Sequence, residues 1–289
     1  MSIGDAEIKT QERVIRFFKD PEILGYQYIG NLSDYQNKNI KEDRLRQYLR
    51  LKGYADKLID AAIMQLQQEA GNLSRGVYDA NKTVYSRLKY GIPVSESPEK
   101  PPVTVQLVDE EKPLNNDFAI AEEVTVVEQS EKRPDLVVYL NGIAVAVIEL
   151  KRSSISVSAG IRQNLTNQKN SFIQSFFTTM QFCMAGNESE GLRYGTLLTG
   201  EKFYMEWKDD GFKEHEEERD SVDVRISKTC EGIENKLLKQ IYAMFDKERF
   251  IDLIMNFVVF DKGIKKVCRY NQYFGIKRTQ QRLTNLRTE

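Results

Sequence analysis

Two carboxylates and one lysine stand at set positions in a stretch of strongly apolar, strand-like sequence. Asp135 follows a proline, and Glu149 and Lys151 are separated by a single residue. Carboxylate oxygens are the ligands that Mg²⁺ prefers, and a lysine beside them can stabilise negative charge that develops on a reacting phosphate. These residue types and spacings are typical of Mg²⁺-dependent phosphodiester hydrolysis. The alternative is an ordinary strand that ends in a surface Glu–Lys pair after a Pro–Asp turn.

These residues would form a sufficient platform for the ion. Asp135, Glu149 and the main-chain carbonyl of Leu150 supply three oxygen ligands, and Mg²⁺ keeps several water molecules besides. The ion would polarise a scissile phosphate and lower the pKa of a bound water. Lys151 would orient the attacking water or stabilise the developing charge, an effect of about 10²–10³-fold in rate for one well-placed donor.

A hairpin must position these groups. Residues 135–140 and 143–151 are rich in valine, isoleucine and leucine and are predicted as strands, with Asn141-Gly142 between them. Alternate side chains of a strand share a face, so Glu149 and Lys151 point the same way.

The turn between the strands decides where Asp135 points. A two-residue turn would pair Asp135 with Ile148 and place its carboxylate on the wrong face. A three-residue turn with Gly142 as a left-handed bulge would pair it with Val147, and the two carboxylates would then converge. We therefore predict the three-residue, bulged turn.

The charge of the chain is balanced on average and uneven along its length. It has 42 lysines and arginines against 43 acids, a net charge of −1, which is low for a protein that holds nucleic acid unaided. Residues 209–223 contain eight acids against two bases, a balance of −6, and are expected to form a solvated loop. Residues 262–289 contain eight bases and one acid, a balance of +7, typical of a solvated helix or of a surface for DNA or an acidic partner.

Other kinds of site find little support. His215 is the only histidine, so a histidine-based triad or metal centre is nearly excluded. Cys183, Cys230 and Cys268 are scattered and odd in number, which indicates neither a disulfide framework nor a zinc site. No apolar run approaches the roughly 20 residues that span a bilayer, and the first residues lack a secretory pattern, so a cytoplasmic protein with no membrane contact is expected.

The remaining elements follow from periodicity and from turn signals. The sequence predicts helices at 10–19, 39–70, 157–185 and 229–256, a Pro- and Ser-rich loop at 93–102, further strands at 103–108, 117–128, 193–199 and 202–208, and a separate polar-aromatic segment at 265–276. The order is helices, antiparallel strands, helix, strands, and then helix again.

Several of these segments together resemble a known family. They are Asn115-Asn116-Asp117-Phe118, Arg133-Pro134-Asp135, Asn141-Gly142 and Val147-Ile148-Glu149-Leu150-Lys151. They look like the N-terminal nuclease domain of the R subunit of type I restriction-modification enzymes, in the PD-(D/E)xK superfamily. The resemblance implies an α/β (α+β) fold of the restriction-endonuclease type, with a mixed sheet that contains an antiparallel meander, flanking helices and an N-terminal helical region.

It also implies a division of the chain. An endonuclease domain would span 1–208, with a helical part at about 1–100 and a catalytic core at about 103–208. An acidic linker would follow at 209–228. Residues 229–289 would be a helical linker and the start of an ATPase motor that this chain lacks, since no phosphate-binding loop of the Gly-x-x-x-x-Gly-Lys-Ser/Thr type occurs.

The resemblance suggests supporting residues as well. Gln163 matches the glutamine of a Gln-x-x-x-Tyr pattern on the helix after the active strand, although Asn167 stands where the family has tyrosine. Glu12 is a candidate for the glutamate that many of these nucleases place on the helix before the sheet; a surface glutamate is the alternative reading. Gln272 lies in a run similar to one in which the family reads adenine, with Asn271 in place of the usual histidine.

The function implied is that of a Mg²⁺-dependent endonuclease domain acting on double-stranded DNA, with Mn²⁺ as a substitute ion. Asp135 and Glu149 would be the metal ligands and Lys151 the catalytic cation. Specificity and methyltransferase subunits would be the partners, and ATP would serve only the full-length enzyme. Two alternatives stay open: a stand-alone nuclease of the same superfamily, and a non-catalytic scaffold for DNA or partner subunits.

Overall fold

The computed structural model describes residues 3–95, 97, 99–208 and 221–288. The helices are α1 (Ile3–Lys19), α2 (Glu42–Leu51), α3 (Asp56–Gly71), α4 (Val77–Tyr90), α5 (Val157–Asn167), α6 (Ser221–Glu231), α7 (Lys236–Phe245), α8 (Lys247–Asn256) and α9 (Tyr270–Thr288). Short 3₁₀ turns lie at Pro113–Asn115, Gln174–Thr179 and Glu201–Phe203. The strands are β1 (Gln27–Asn31), β2 (Ile92–Val94), β3 (Val103–Val105), β4 (Phe118–Glu122), β5 (Val126–Val127), β6 (Glu131–Lys132), β7 (Leu136–Leu140), β8 (Ile143–Leu150), β9 (Phe182–Asn187), β10 (Gly191–Gly195), β11 (Val258–Asp261) and β12 (Ile264–Val267).

A mixed sheet in the order β1-β4-β7-β8-β9-β10 forms the centre. β4, β7 and β8 form an antiparallel meander, β1 pairs parallel with β4, and β9 pairs parallel with β8. Every residue of β7 and β8 is buried, as expected for strands covered on both faces. The predicted α/β architecture, a mixed sheet with an antiparallel meander and flanking helices, is confirmed at this level.

The two faces of the sheet carry different cores. One core joins alternate side chains such as Leu136, Ile148 and Leu150 to the apolar faces of α1, α2, α3, α7 and α8. The other joins the intervening side chains, such as Val137 and Val147, to the 3₁₀ turn at Gln174–Thr179. α5 packs over β8 and β9 on this second face.

The turn between β7 and β8 is a two-residue turn, and the predicted three-residue turn is wrong. Leu140 pairs with Ile143, and Asn141 and Gly142 have φ of 52° and 79°, the left-handed pair that a type I′ turn requires. A Cβ on Gly142 would lie 2.6 Å from the carbonyl oxygen of Lys41, so the approach of the α2 N-terminus admits only glycine here.

The extra residue lies inside β8 instead. Val138 pairs with Ala146 while Tyr139 pairs with Ala144, so Val145 is a bulge, and its carbonyl accepts the amide of Gln181 at 2.7 Å. A bulge in the strand shifts the register by one residue, as the predicted turn would have done. The predicted pairing of Asp135 with Val147 is wrong, because extending the observed Leu136–Ile148 register places Asp135 opposite Glu149.

Other elements differ from the sequence prediction. The predicted helix 157–185 is helical only as far as Asn167, and a 3₁₀ turn and β9 follow. The sequence did not reveal this change, because an apolar run that is buried on both sides shows no clear helix or strand period. Residues 202–208 form a 3₁₀ turn and a single bridge rather than a strand. The predicted helix 229–256 is divided between α6, α7 and α8, and α4, β1 and the β11–β12 hairpin were not predicted.

Most of the predicted acidic linker lies outside the described residues, which resume at Ser221. Its last part is helical, and Asp223 is buried in an ion pair with Arg249 rather than solvated. The guanidinium of Arg249 lies 5.4 Å from the ring centres of both Tyr273 and Phe274.

None of the helices in the described part of the chain combines the length and apolar character that crossing a membrane requires.

A buried lysine ties the β11–β12 hairpin to the rest of the molecule. Lys265 Nζ donates to Asn81 Oδ1 at 2.8 Å, to the Met180 carbonyl at 2.9 Å and to Gln181 Oε1 at 2.7 Å. These acceptors lie on α4 and just before β9. Three acceptors match the three donors of an ammonium group, so the hairpin is held by a fully satisfied polar contact.

Candidate active site

Asp135 is held at the start of β7 by main-chain contacts. Its Oδ2 accepts the amide of Leu150 at 2.7 Å, which fixes the carboxylate against the end of β8. Its own carbonyl accepts the amide of Glu123 at 2.9 Å, and Glu123 adopts a left-handed φ of 50°. A non-glycine residue in that conformation is uncommon, and here it turns the chain after β4 towards Asp135.

Glu149 is fully buried on the face of the sheet covered by α5. Its Oε2 accepts Gln163 Nε2 at 2.7 Å, while Oε1 has no hydrogen-bond partner among the described residues. α5 approaches this closely because residue 160 is glycine: a Cβ there would lie 2.9 Å from Ala185 Cβ and 3.4 Å from Glu149 Cβ. The glycine therefore sets the distance from which Gln163 reaches the carboxylate.

Lys151 follows the last residue of β8 and turns back towards the acids. Its Nζ lies 3.7 Å from Asp135 Oδ2 and 3.1 Å from Glu7 Oε1. The same Nζ donates to the Leu150 carbonyl at 2.7 Å, which is the carbonyl predicted as a third metal ligand. The lysine thus links Asp135 to α1 and covers the open side of the site.

The electrostatics of the pair are unusual. Burial raises the pKa of Asp135 to about 6, against the opposing charge of Lys151 and the amide of Leu150. Burial and the charge of Asp135 raise the pKa of Glu149 well above its ordinary value. Burial alone would lower the pKa of Lys151, but the charges of Asp135 and Glu149 and the contact with Glu7 raise it instead. Two carboxyls that disfavour each other's ionisation beside one ammonium form a site that lacks positive charge.

The donor set fits a small divalent cation with oxygen ligands. Two converging carboxyls, with an unpartnered oxygen on Glu149, match the ligands of Mg²⁺ or Mn²⁺, with water completing the shell, whereas the predicted third ligand, the Leu150 carbonyl, accepts Lys151 Nζ in this structure. The described part of the chain offers no richer centre, because no three of its histidine, cysteine, aspartate or glutamate side chains meet as a metal site. Asp135 and Glu149 are the residues that would hold the ion.

The structure brings Glu7, rather than Glu12, to this site. Glu12 is exposed, whereas Glu7 contacts Lys151. Successive residues of an α-helix are about 100° apart, so a residue five positions on points about 140° away. Buried Val14 marks the inward side of α1, and Glu7 lies two turns before it, a helical phase that the sequence contains and that our prediction did not use.

The remaining predicted residues are Gln163, Asn167 and Gln272. Gln163 contacts Glu149 as described, whereas Asn167 is the buried last residue of α5. Gln272 lies at the start of α9, away from these residues, where its Oε1 accepts the amide of Arg269 at 2.8 Å and so satisfies a free amide at the helix N-terminus. Its predicted role in nucleotide binding stays a prediction.

Comparison with known proteins finds one family model and several relatives that match this chain. The family model described as "Type I restriction enzyme R protein N terminus" matches residues 7–203, a range that contains the whole site. The putative type I restriction enzyme MjaIXP endonuclease subunit of Methanocaldococcus jannaschii is 26% identical over 213 residues, covering 70% of this chain and 20% of the relative. The type I restriction enzyme HindI endonuclease subunit of Haemophilus influenzae is 26% identical over 207 residues, covering 68% of this chain and 18% of the relative.

A third relative extends the similarity. The putative MjaVIIIP endonuclease subunit of M. jannaschii is 26% identical over 276 residues, which cover 91% of this chain and 24% of the relative. The chain therefore spans about a fifth to a quarter of the length of these relatives. The family match covers more than half of the chain and confirms the resemblance drawn from its motifs: the chain belongs to the family of type I restriction enzyme R proteins, to whose N-terminal region it corresponds.

Proposed function

We propose that this chain is a Mg²⁺-dependent endonuclease domain of the PD-(D/E)xK type that hydrolyses phosphodiester bonds of double-stranded DNA. The observation that carries the proposal is the pair of the half-buried Asp135 and the fully buried Glu149, with Glu149 Oε1 unpartnered among the described residues and Lys151 beside them. A buried acid pair costs stability, and such an arrangement is typical of a functional site rather than of a structural contact.

Each residue has a distinct part. Asp135 and Glu149 hold the cation, which when bound polarises the phosphate and lowers the pKa of a water ligand. Gln163 fixes the carboxyl of Glu149 through Oε2, and the Leu150 amide fixes Asp135. Lys151 keeps its proton, because the neighbouring acids raise its pKa, and its Nζ donates to the negative charge that develops on the phosphate oxygens.

The setting of this activity is proposed from the family. The domain would act in the cytoplasm within a type I restriction-modification complex, together with specificity and methyltransferase subunits that find the DNA target. ATP would be used by a motor outside this chain, and residues 229–289 would connect the nuclease domain to it. The net charge of −1 agrees with a domain that other subunits deliver to DNA.

Cation binding tests the proposal directly. We would titrate the chain with Mn²⁺ and measure the free ion by electron paramagnetic resonance. Asp135→Asn and Glu149→Gln should each weaken binding at least tenfold, because each removes one anionic ligand. Glu12→Gln, which removes an exposed carboxylate of α1, should leave binding unchanged and serves as the matched control.

Cleavage is measured on supercoiled plasmid DNA with Mg²⁺ or Mn²⁺, in the assembled restriction complex. Glu149→Gln and Lys151→Ala should abolish cleavage and leave ATP hydrolysis intact. If both variants cut DNA as the wild type does, the assignment of the site is wrong. If the wild-type chain binds no Mn²⁺, the residues form a structural ion network, and the chain acts as a scaffold.

A further inference from the structure

Three basic side chains lie on the segments that lead into and out of the candidate active site. Lys132 lies three residues before Asp135 on the chain that enters β7, and Arg152 follows Lys151 on the chain that leaves β8. Because β7 and β8 are antiparallel, these two segments lie at the edge of the sheet where the carboxyls lie. Lys169 lies just beyond the end of α5, the helix that covers the site. We call these three residues the basic surface.

Phe172 joins two members of the basic surface. The Nζ of Lys132 lies 4.7 Å from the centre of the Phe172 ring. The amide of Phe172 donates to the carbonyl of Lys169 at 2.9 Å, and the Phe172 carbonyl accepts the amide of Gln129 at 3.3 Å. The β5–β6 hairpin is therefore fixed to the segment that follows α5, and both lysines lie next to this junction.

The cations of the basic surface have no acidic partners in the part of the chain that the structure describes. Lys132 and Arg152 are half-buried and Lys169 is exposed, and none of the three forms an ion pair there. Arg162, on the exposed side of α5, differs from them, because it is paired with Glu201 at 2.9 Å. A cluster of cations that the protein itself does not neutralise is expected where a polyanion docks.

The acids near these cations point away or have other partners. Glu131 points to the opposite face of β6 from the lysine that follows it, because successive side chains of a strand alternate. The carboxylate of Glu128 accepts the hydroxyl of Ser175 at 2.6 Å. The carboxylate of Glu123 accepts Gln11 Nε2 at 3.0 Å. The positive charge of the basic surface thus remains available to a ligand.

We infer that Lys132, Arg152 and Lys169 contact the phosphate backbone of the duplex that the site would cut. This inference rests on the proposed function, which makes duplex DNA the substrate. The acid pair by itself repels DNA, so cations around it must supply the attraction that brings a phosphate to the site. Contacts to phosphates position a duplex without reading its bases, so binding through this surface is independent of sequence.

The salt dependence of DNA binding tests the inference. Binding of a short fluorescent duplex is followed by anisotropy in EDTA, starting from low salt, and the logarithm of the affinity is plotted against the logarithm of the salt concentration. Each phosphate contact contributes about 0.9 to the slope, so Lys132→Ala and Lys169→Ala should each lower its magnitude by about that amount. Lys132→Arg keeps the charge and should restore the slope. Lys169 is exposed, so its variant tests the inference even if the ring contact of Lys132 matters for folding.

Lys57→Ala is the matched control. Lys57 is an exposed lysine of α3, whose apolar residues belong to the core on the other face of the sheet. Its removal changes the net charge by the same amount and should leave the slope unchanged. A duplex of unrelated sequence should give the same slopes for every variant.

The outcomes separate this inference from the proposed function. Wild-type slopes in both Lys132→Ala and Lys169→Ala, an equal decrease in Lys57→Ala, or no binding of the duplex by a wild-type chain that binds Mn²⁺ would overturn the inference alone. Lowered slopes in a chain that binds no Mn²⁺ would overturn the proposed nuclease function instead, and the basic surface would then be the DNA contact of a scaffold.

Discussion

Gly160 controls the distance between α5 and the active-site carboxyl, and its replacement by alanine tests that role quantitatively. The added methyl would meet Ala185 Cβ at 2.9 Å and Glu149 Cβ at 3.4 Å. The first contact is with an atom fixed to the backbone of β9 rather than with the end of a flexible side chain. Relief therefore requires α5 or β9 to move, and with α5 the Gln163 amide that bonds to Glu149.

Two opposing effects determine how much Gly160→Ala changes the free energy of unfolding. Overpacking of a filled core costs about 1–3 kcal/mol. Alanine in a helix interior is favoured over glycine by about 0.8–1 kcal/mol. We expect Gly160→Ala to lower the free energy of unfolding by up to about 2 kcal/mol, because the contact lies below the range that real Cβ atoms adopt.

Gly275 supplies the control, since it lies within α9 and a Cβ there would meet nothing within 4 Å. Gly275→Ala should raise the free energy of unfolding by up to about 1 kcal/mol. The two variants are compared by urea denaturation at pH 7, and their difference isolates the overpacking cost. Because Gln163 moves with α5, Gly160→Ala should also weaken Mn²⁺ binding, and Ala185→Gly in that background removes the clashing methyl and should recover part of the Mn²⁺ affinity. If Gly160→Ala stabilises the protein as much as Gly275→Ala does, α5 is not held at the distance described.

Three further predictions follow from buried charge. Glu149→Gln should raise the Tm in EDTA, because it removes an acid that burial and Asp135 disfavour; a lowered Tm would contradict this. Because the folded pKa of Asp135, about 6, exceeds its unfolded value, the folded state binds more protons and the cation-free protein loses stability as the pH rises from about 4 to 6. Denaturation of the wild type and of Asp135→Asn should differ by about 2–3 kcal/mol across that window, and parallel pH profiles would refute the shift. Lys265→Met leaves Asn81 Oδ1 and Gln181 Oε1 without a donor, while the Met180 carbonyl keeps the amide of Asn81, and it should cost at least about 2 kcal/mol in the free energy of unfolding. Lys266→Met, at an exposed ion pair with Asp261, should change it by less than about 0.5 kcal/mol, and equal effects of the two lysines would contradict the assigned contacts.

The sequence indicated the residues of the site better than it indicated the elements around them. Pro134-Asp135 and Glu149-x-Lys151 stand out because charge inside an apolar run is rare, and this signal does not depend on the fold. The end of the helix at Asn167 was less predictable, because the apolar residues that follow it are buried on all sides and carry no clear period.

Contacts between segments far apart in the sequence could not be predicted, for a different reason. Glu7 lies 144 residues before Lys151, so the contact between them depends on how α1 packs against the end of β8. Helical phase could have selected Glu7 over Glu12, since the inward side of α1 is marked by Val14.

The hairpin around Asn141-Gly142 contains the extra residue that we predicted, but in β8 rather than in the turn. The requirement that Asp135 and Glu149 share a face demanded one extra residue between them, and the structure contains one, at Val145. The tight turn could not take it, because α2 lies against Gly142 with no room for even a Cβ. β8 could take it, because the carbonyl of Val145 finds a donor in the amide of Gln181 at the start of β9. The face on which each side chain lies thus depends on the whole hairpin. The position of the bulge depends on which neighbouring residue can form hydrogen bonds with the displaced main-chain groups.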